Sequence, residues 1–293
     1  MHFFIATKSD EAPSGRFISV DGSVPGATVT YDHHKSGERI NLDAMPETVS
    51  IEGIDGVGTT MMDADAIVSA AVCVLGGIAA VPTQYVPVLR SASFWCDHLV
   101  GDPSQDEAAN HVGLGLMASM KNQGFAATKA IASQKYAGDV RQLTNQDISP
   151  VFAELTTAMI DVIRAGESLP CDFAYLATVD KHEETLRTPL ADGSSRVSIN
   201  GSVALLNLRG LGYMDPLAQY RLHTCPVQVM YADGKPGEPG LKYTVGVHPA
   251  GAQPDLRSAL AALQAAEAAA CSCWRDPAGR DLGRPPGSVR FAV

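Results

Sequence analysis

Residues 64–81 are almost continuously apolar, interrupted by Asp65, Ser69 and the pair Gly76-Gly77. Read as a helix over 64–80, the segment is apolar on every face, and such a helix is stable in water only when neighbours cover more than one side. Asp65, Ser69 and the two glycines argue against a membrane span. A chain built around such a helix needs packed layers on either side of it. With 293 residues, 45% hydrophobic and 18% charged, there is enough material for one large or two ordinary domains and a substantial core.

The rest of the chain supplies those layers. Residues 2–7, 16–20 and 27–31 read as short strands, with Asp-Gly and Pro-Gly turns between them. Residues 53–58 read as a glycine-rich loop leading to Asp63. Ser104 is positioned to cap a helix over 105–121, residues 128–136 form a further short helix, and Ser149-Pro150 opens another that runs to Arg164, with Gly166 past its end. Alternating strands and helices define an α/β layer fold. Leu169-Pro170-Cys171 marks a boundary, after which strands are expected at 173–178, 197–199, 203–208, 227–231 and 243–247. Asn200-Gly201 signals a hairpin there, and residues 255–270 an alanine-rich helix. The expectation is a two-part α/β protein: a layered domain over 1–168 and a smaller mixed α/β domain over 169–293.

Three clusters of acids and imidazoles fall inside the first domain. Asp32-His33-His34 ends the β-branched run Ala27-Thr28-Val29-Thr30-Tyr31. Asp63-Ala64-Asp65 opens the apolar helix, and Trp95-Cys96-Asp97-His98 closes another apolar segment. Carboxylate and imidazole together suit Mn, Zn or Fe. Each cluster also has a bland explanation: Asp32 as a turn cap, Asp63 as an N-cap with Asp65 favoured by the helix dipole, and Asp97-His98 as a structural pair. His111, inside the helix after Ser104, is a weaker candidate. Cations for an anionic ligand are Arg209 at a strand end before glycine, and Arg280 or Arg284 in the tail. No Gly-x-Ser-x-Gly elbow, Walker loop or dinucleotide fingerprint is present, and Cys96 carries no independent sign of activation.

The first two clusters resemble the DHH phosphoesterase superfamily, in which Asp-His-His after a strand and an Asp-x-Asp-Ala element opening a helix together bind a manganese pair. Asp32-His33-His34 matches the first element, and Asp63-Ala64-Asp65-Ala66-Ile67-Val68-Ser69-Ala70 is similar to the second. In the family the Asp-x-Asp element precedes Asp-His-His, whereas here it follows. The resemblance implies an N-terminal α/β metal domain and a smaller substrate-binding domain. Lys242-Tyr243-Thr244-Val245-Gly246-Val247-His248 looks loosely like part of the latter, which would bring His248 to the substrate, although no Gly-Gly-Gly-His run occurs.

The functional expectation is a divalent-metal-dependent phosphohydrolase with one or two ions, Mn2+ foremost, acting through an activated water on a small phosphoester such as a short oligonucleotide, a nucleotide or a pyrophosphate. Its expected metal ligands are Asp32, His33, Asp63, Asp65, Asp97 and His98. His33, His34 and Asp97 are the expected catalytic groups, and Arg209, His248 and Arg284 the expected substrate contacts. A metal-dependent amidase or deacylase would use the same ligands, and a non-catalytic metal-stabilised binding protein would fill the whole coordination shell. A net charge of −10 argues against long duplex nucleic acid as a partner, while a small phosphorylated anion remains compatible with local cations. Six cysteines without framework spacing and a start lacking signal-peptide character suggest reduced thiols and a cytoplasmic location. Membrane association is not expected, and a homodimer is compatible with the sequence.

Overall fold

A computed structural model describes residues 1–233 and 241–247. The chain divides into two compact units, Met1–Tyr175 and Leu176–Val293, and both combine helices with a sheet, as an α/β protein of two parts should.

The first unit is built on a fully parallel sheet. Its strands are β1 (His2–Ile5), β2 (Phe17–Val20), β3 (Val29–Tyr31) and β4 (Gly56–Thr59), in spatial order β1-β4-β2-β3. β4 lies where a loop was expected. Its glycines hid it, and they have a packing reason: a Cβ on Gly58 would lie 2.6 Å from ring carbons of Phe4 on the neighbouring strand. Glycine in a strand here marks a side chain lying across the backbone.

Two short helices, α1 (His33–Ser36) and α2 (Asn41–Ala44), follow β3, and α3 (Ala64–Leu75) follows β4. Every residue of α3 from Ala64 to Cys73 is buried, as its all-round apolarity requires. It ends five residues before the expected limit of 80. Gly76 takes a left-handed φ of 102°, and the Gly76 and Gly77 N–H groups close onto the Cys73 and Val72 carbonyls.

The remaining helices of this unit are α4 (Val86–His98), α5 (Glu107–Lys135) and α6 (Asn145–Ala165), with α3 packed against both α4 and α6. Two expected helices over 105–121 and 128–136 are one, α5. Asp106 caps it, accepting from the Ala109 N–H at 2.7 Å, while Ser104 bonds back to Asp102. α6 begins before Pro150 because Thr144 and Asp147 form a reciprocal capping box upstream. Among the described residues no helix is long and apolar enough to cross a membrane.

In the second unit α7 (Ala174–Arg187), which starts at the end of the first, replaces the strand expected over 173–178. Its sheet has the order β5 (Val197–Asn200), β6 (Val203–Asn207), β7 (Val227–Asp233) and β8 (Leu241–Val247); β5–β6 and β7–β8 are antiparallel, β6–β7 parallel. The β5–β6 hairpin turns at Asn200-Gly201 as expected, Gly201 having φ 59°. A short helix, α8 (Pro216–Tyr220), joins β6 to β7 and is capped by Asp215. The helix expected over 255–270 lies outside the described residues.

Candidate metal centre

The acids and imidazoles of the first unit arrive from the carboxyl ends of adjacent parallel strands, where open α/β sheets bind ligands. Asp21 follows β2, Asp32 follows β3, and the segment after β4 leads to Asp63, the N-cap of α3. Asp97 comes from the last turn of α4. α4 is anchored to α5, because the Trp95 indole in that turn donates to the Asn110 carbonyl at 2.9 Å and the Ser91 hydroxyl, a turn earlier, to the Asn110 Oδ1 at 2.6 Å.

Asp21 was not expected. It reads in sequence as half of an Asp-Gly turn, and it does make that turn, with φ 46° followed by Gly22 at 126°. A Cβ on Gly22 would lie 2.1 Å from the Thr60 hydroxyl, so only glycine fits there. A non-glycine residue held at positive φ is a backbone outlier worth a functional question. It is fixed from both sides: the Asp21 N–H donates to the Tyr31 carbonyl at 3.0 Å, and the buried Thr59 hydroxyl donates to the Asp21 carbonyl at 3.0 Å. The available signal was a carboxylate directly after an apolar strand, the same signal that singled out Asp32.

His33 stands at the middle of the cluster. Its Nε2 is 3.2 Å from Asp21 Oδ1, 3.5 Å from Asp97 Oδ2 and 3.9 Å from Asp65 Oδ2. Its Nδ1 lies 3.3 Å from the Glu38 carbonyl oxygen, a contact that places a proton on Nδ1 and turns Nε2 toward the acids. His34 is mostly exposed, with Nδ1 3.4 Å from Asp32 Oδ1 and 3.8 Å from Asp21 Oδ1. Asp32 is buried; its carboxylate accepts from the Ser23 hydroxyl at 2.6 Å and caps α1 through the His34 N–H at 3.1 Å. Asp65, fully buried, accepts from the Asn41 N–H at 2.9 Å and from the Ser69 hydroxyl at 3.2 Å. Among the described residues two overlapping groups have the spacing to hold a metal ion: Asp21, His33 and His34, and His33, Asp65 and Asp97.

Electrostatics separates this cluster from an ordinary polar patch. Burial, and next the charge of Asp21, push the carboxyls of both Asp63 and Asp65 up. Burial, and next the charge of Asp65, push Asp97 up. Burial works to lower His33, but Asp21 and Asp65 outweigh it and hold the imidazole above its ordinary value. So many carboxyls gathered out of water, with their anionic forms disfavoured, are what a divalent cation would stabilise. Two atoms test the fit. Asp21 Oδ1 and His33 Nε2 are buried, 3.2 Å apart, and have no hydrogen-bond partner beyond each other. An oxygen and an imidazole nitrogen left in that condition are a hard and a borderline donor for Mn2+, Zn2+ or Fe2+.

The other expected residues fall differently. His98 places Nε2 2.7 Å from the Arg39 carbonyl and belongs to neither ligand group, so it secures the loop that carries His33. Burial, followed by the nearby Arg39 cation, lowers its pKa, and the neutral ring donates through Nε2. His111 stacks flat on Phe173 at 4.6 Å. Cys96 is not an activated nucleophile: burial, then the charges of Asp63 and Asp97, push its thiol well up. Arg209, in the second unit, pairs with Asp233 at 3.0 Å. His248, Arg280 and Arg284 lie outside the described residues.

No family model and no curated protein matches the chain. Among solved structures, a pGpG-specific phosphodiesterase, PggH from Vibrio cholerae, aligns with 80% of this chain and 83% of its own at 14% identity and a TM-score of 0.33.

Proposed function

We propose that the chain is a divalent-metal-dependent phosphohydrolase of the DHH type, acting on a small phosphoester such as a short oligonucleotide, a nucleotide or a pyrophosphate. The observation that carries the reading is the set of carboxylates from Asp21, Asp65 and Asp97 around a single imidazole nitrogen of His33. Reversed motif order is no obstacle to it. β4 and β3 flank β2 in the sheet, so the acids that follow these strands reach one edge whichever comes first in the chain.

In this reading Asp21, His33, Asp65 and Asp97 hold one or two ions, Mn2+ foremost, with Asp32 and Asp63 completing the shell. A divalent cation supplies an acidified water and neutralises charge developing on phosphoryl oxygens when bound. The chain's own groups do the rest. Glu38 and Asn41 hold the His33 ring and main chain in place. His34, exposed beside Asp32, is placed at the solvent side to exchange a proton with the leaving oxygen. Arg209, His248 and Arg284 of the second unit, read as the substrate-binding part from about residue 169, complete the proposal as contacts to the remaining phosphate oxygens.

The test is substrate profiling of purified protein on phosphomonoesters, phosphodiesters, carboxylic esters and amides, before and after EDTA and with Mn2+ added back. Phosphoester turnover that chelation abolishes and Mn2+ restores is expected. Metal-dependent cleavage confined to amides or carboxylic esters would overturn the phosphoryl assignment.

A further inference from the structure

Asn41 is fully buried beside the centre, and besides holding the His33 main chain it reaches a second ligand of the proposed site. Its main-chain N–H donates to Asp65 Oδ2 at 2.9 Å, and its side-chain Oδ1 accepts from the His33 N–H at 3.3 Å. The opposite amide orientation would set two N–H groups against each other, so the assignment is chemically fixed. Its Nδ2 is buried without a hydrogen-bond partner. A buried amide with one end unsatisfied is a poor choice for packing alone, since an apolar side chain would avoid that desolvation.

We infer that Asn41 is a positioning residue, a two-ended tie that sets the distance between His33, at the start of α1, and Asp65, at the mouth of α3. This role rests on the proposed metal centre. The two ligands lie 32 positions apart in sequence and on separate elements, α1 and α3. Asn41 contacts both at once, its side chain at the His33 main chain and its main chain at the Asp65 carboxylate. Its place at the start of α2 is fixed in turn by buried neighbours, Ile40 and Leu42. Groups that orient metal ligands in this way typically change metal affinity or activity about 10–100-fold when removed.

The experiment is Mn2+ titration of the full-length, chelator-stripped protein, followed by loss of the free-ion EPR signal, with melting of the metal-free samples alongside. Asn41→Ala should weaken Mn2+ binding about 10–100-fold. Asn41→Asp keeps an acceptor oxygen for the His33 N–H and should bind at least as tightly as wild type. If Asn41→Ala does not fold, Asn41→Gln, which displaces the acceptor by one methylene, carries the same expected weakening. Wild-type affinity in the Ala or Gln variant overturns the inference, as does equal weakening in Asn41→Asp. A merely structural role would lower melting temperatures and leave Mn2+ affinity unmoved. Failure of the wild-type protein itself to bind Mn2+ would overturn the metal reading and this role with it.

Discussion

Asp65 has the most constrained environment in the centre: fully buried, bonded by the Asn41 N–H and the Ser69 hydroxyl, and within reach of His33 and Asp97. Asp65→Asn keeps the shape and removes the charge. Asn can still accept from Asn41, and Ser69 can rotate to accept from the new amide. With like-charge repulsion relieved, the metal-free variant should melt about 2–4 °C higher per kcal/mol gained, while Mn2+ affinity and turnover fall by about 100-fold or more, beyond the effect of losing an orienting group. Parallel calorimetry and Mn2+ titration check both halves; a variant that melts lower and binds metal normally would make Asp65 a structural acid. At this scale the sequence was legible where residues cluster. Asp32-His33-His34, Asp63-x-Asp65 and Asp97 stood out, and the structure brings them to one strand edge. Asp21 did not, because a single acid before glycine reads as a turn. Nor did Asn41, whose importance lies in two contacts made across the fold.

At the scale of elements, the approach of α4 to α5 sets where Asp97 sits. A Cβ on Gly113 of α5 would lie 2.5 Å from Ser91 Cβ of α4. Gly113→Ala raises helix propensity by about 1 kcal/mol, yet the clash should push the helices apart and destabilise the fold by about 1–3 kcal/mol. Because the last turn of α4 holds Asp97, the same change should weaken Mn2+ binding without touching a ligand. Melting and titration of this one variant test the linkage, and an unaffected Mn2+ affinity would show that α4 tolerates the shift. Element boundaries were legible where capping chemistry is local. Asp63 and Gly76 bracket α3, and Asn200-Gly201 turns the β5–β6 hairpin. They were misread where tertiary packing decides. α7 begins Ala-Tyr-Leu-Ala-Thr-Val, rich in strand formers, yet Tyr175, Val179 and Leu186 fall on one helical stripe and are buried. β4 was missed because its glycines yield to the Phe4 ring.

For the whole molecule the acid cluster dictates how stability depends on pH. Burial, then neighbouring charge, raises the folded-state pKa values of Asp63, Asp65 and Asp97 above the ordinary 3.8. Their stabilising contribution is full below that value and is lost as pH rises through the raised ones. His33 has the same sign: against burial, Asp21 and Asp65 raise it above 6.5, so its contribution fades as pH climbs through its folded value. Glu11 is opposite, held down to about 2 chiefly by the Thr7 N–H, but its contribution changes only below its ordinary 4.5. The metal-free protein should therefore melt at progressively lower temperature from about pH 5 to 8, and saturating Mn2+ should flatten or reverse the trend, because ligands must lose protons to bind a cation. A metal-free melting temperature that rises across this range would contradict the clustering of charge. The α/β class and the division into two parts were legible from alternating strands and helices and from the change of texture near residue 170. The order β1-β4-β2-β3, which sets Asp21 beside the other acids, was not, since strand pairing across the sheet leaves no local mark in the sequence.

Anomalous scattering from crystals of the full chain soaked in Mn2+ addresses the central claim most directly. A peak bounded by His33 Nε2 and the carboxylates of Asp21, Asp65 and Asp97 is the predicted result. A well-ordered cluster with no peak, or Mn2+ bound only at residues outside it, would contradict the account.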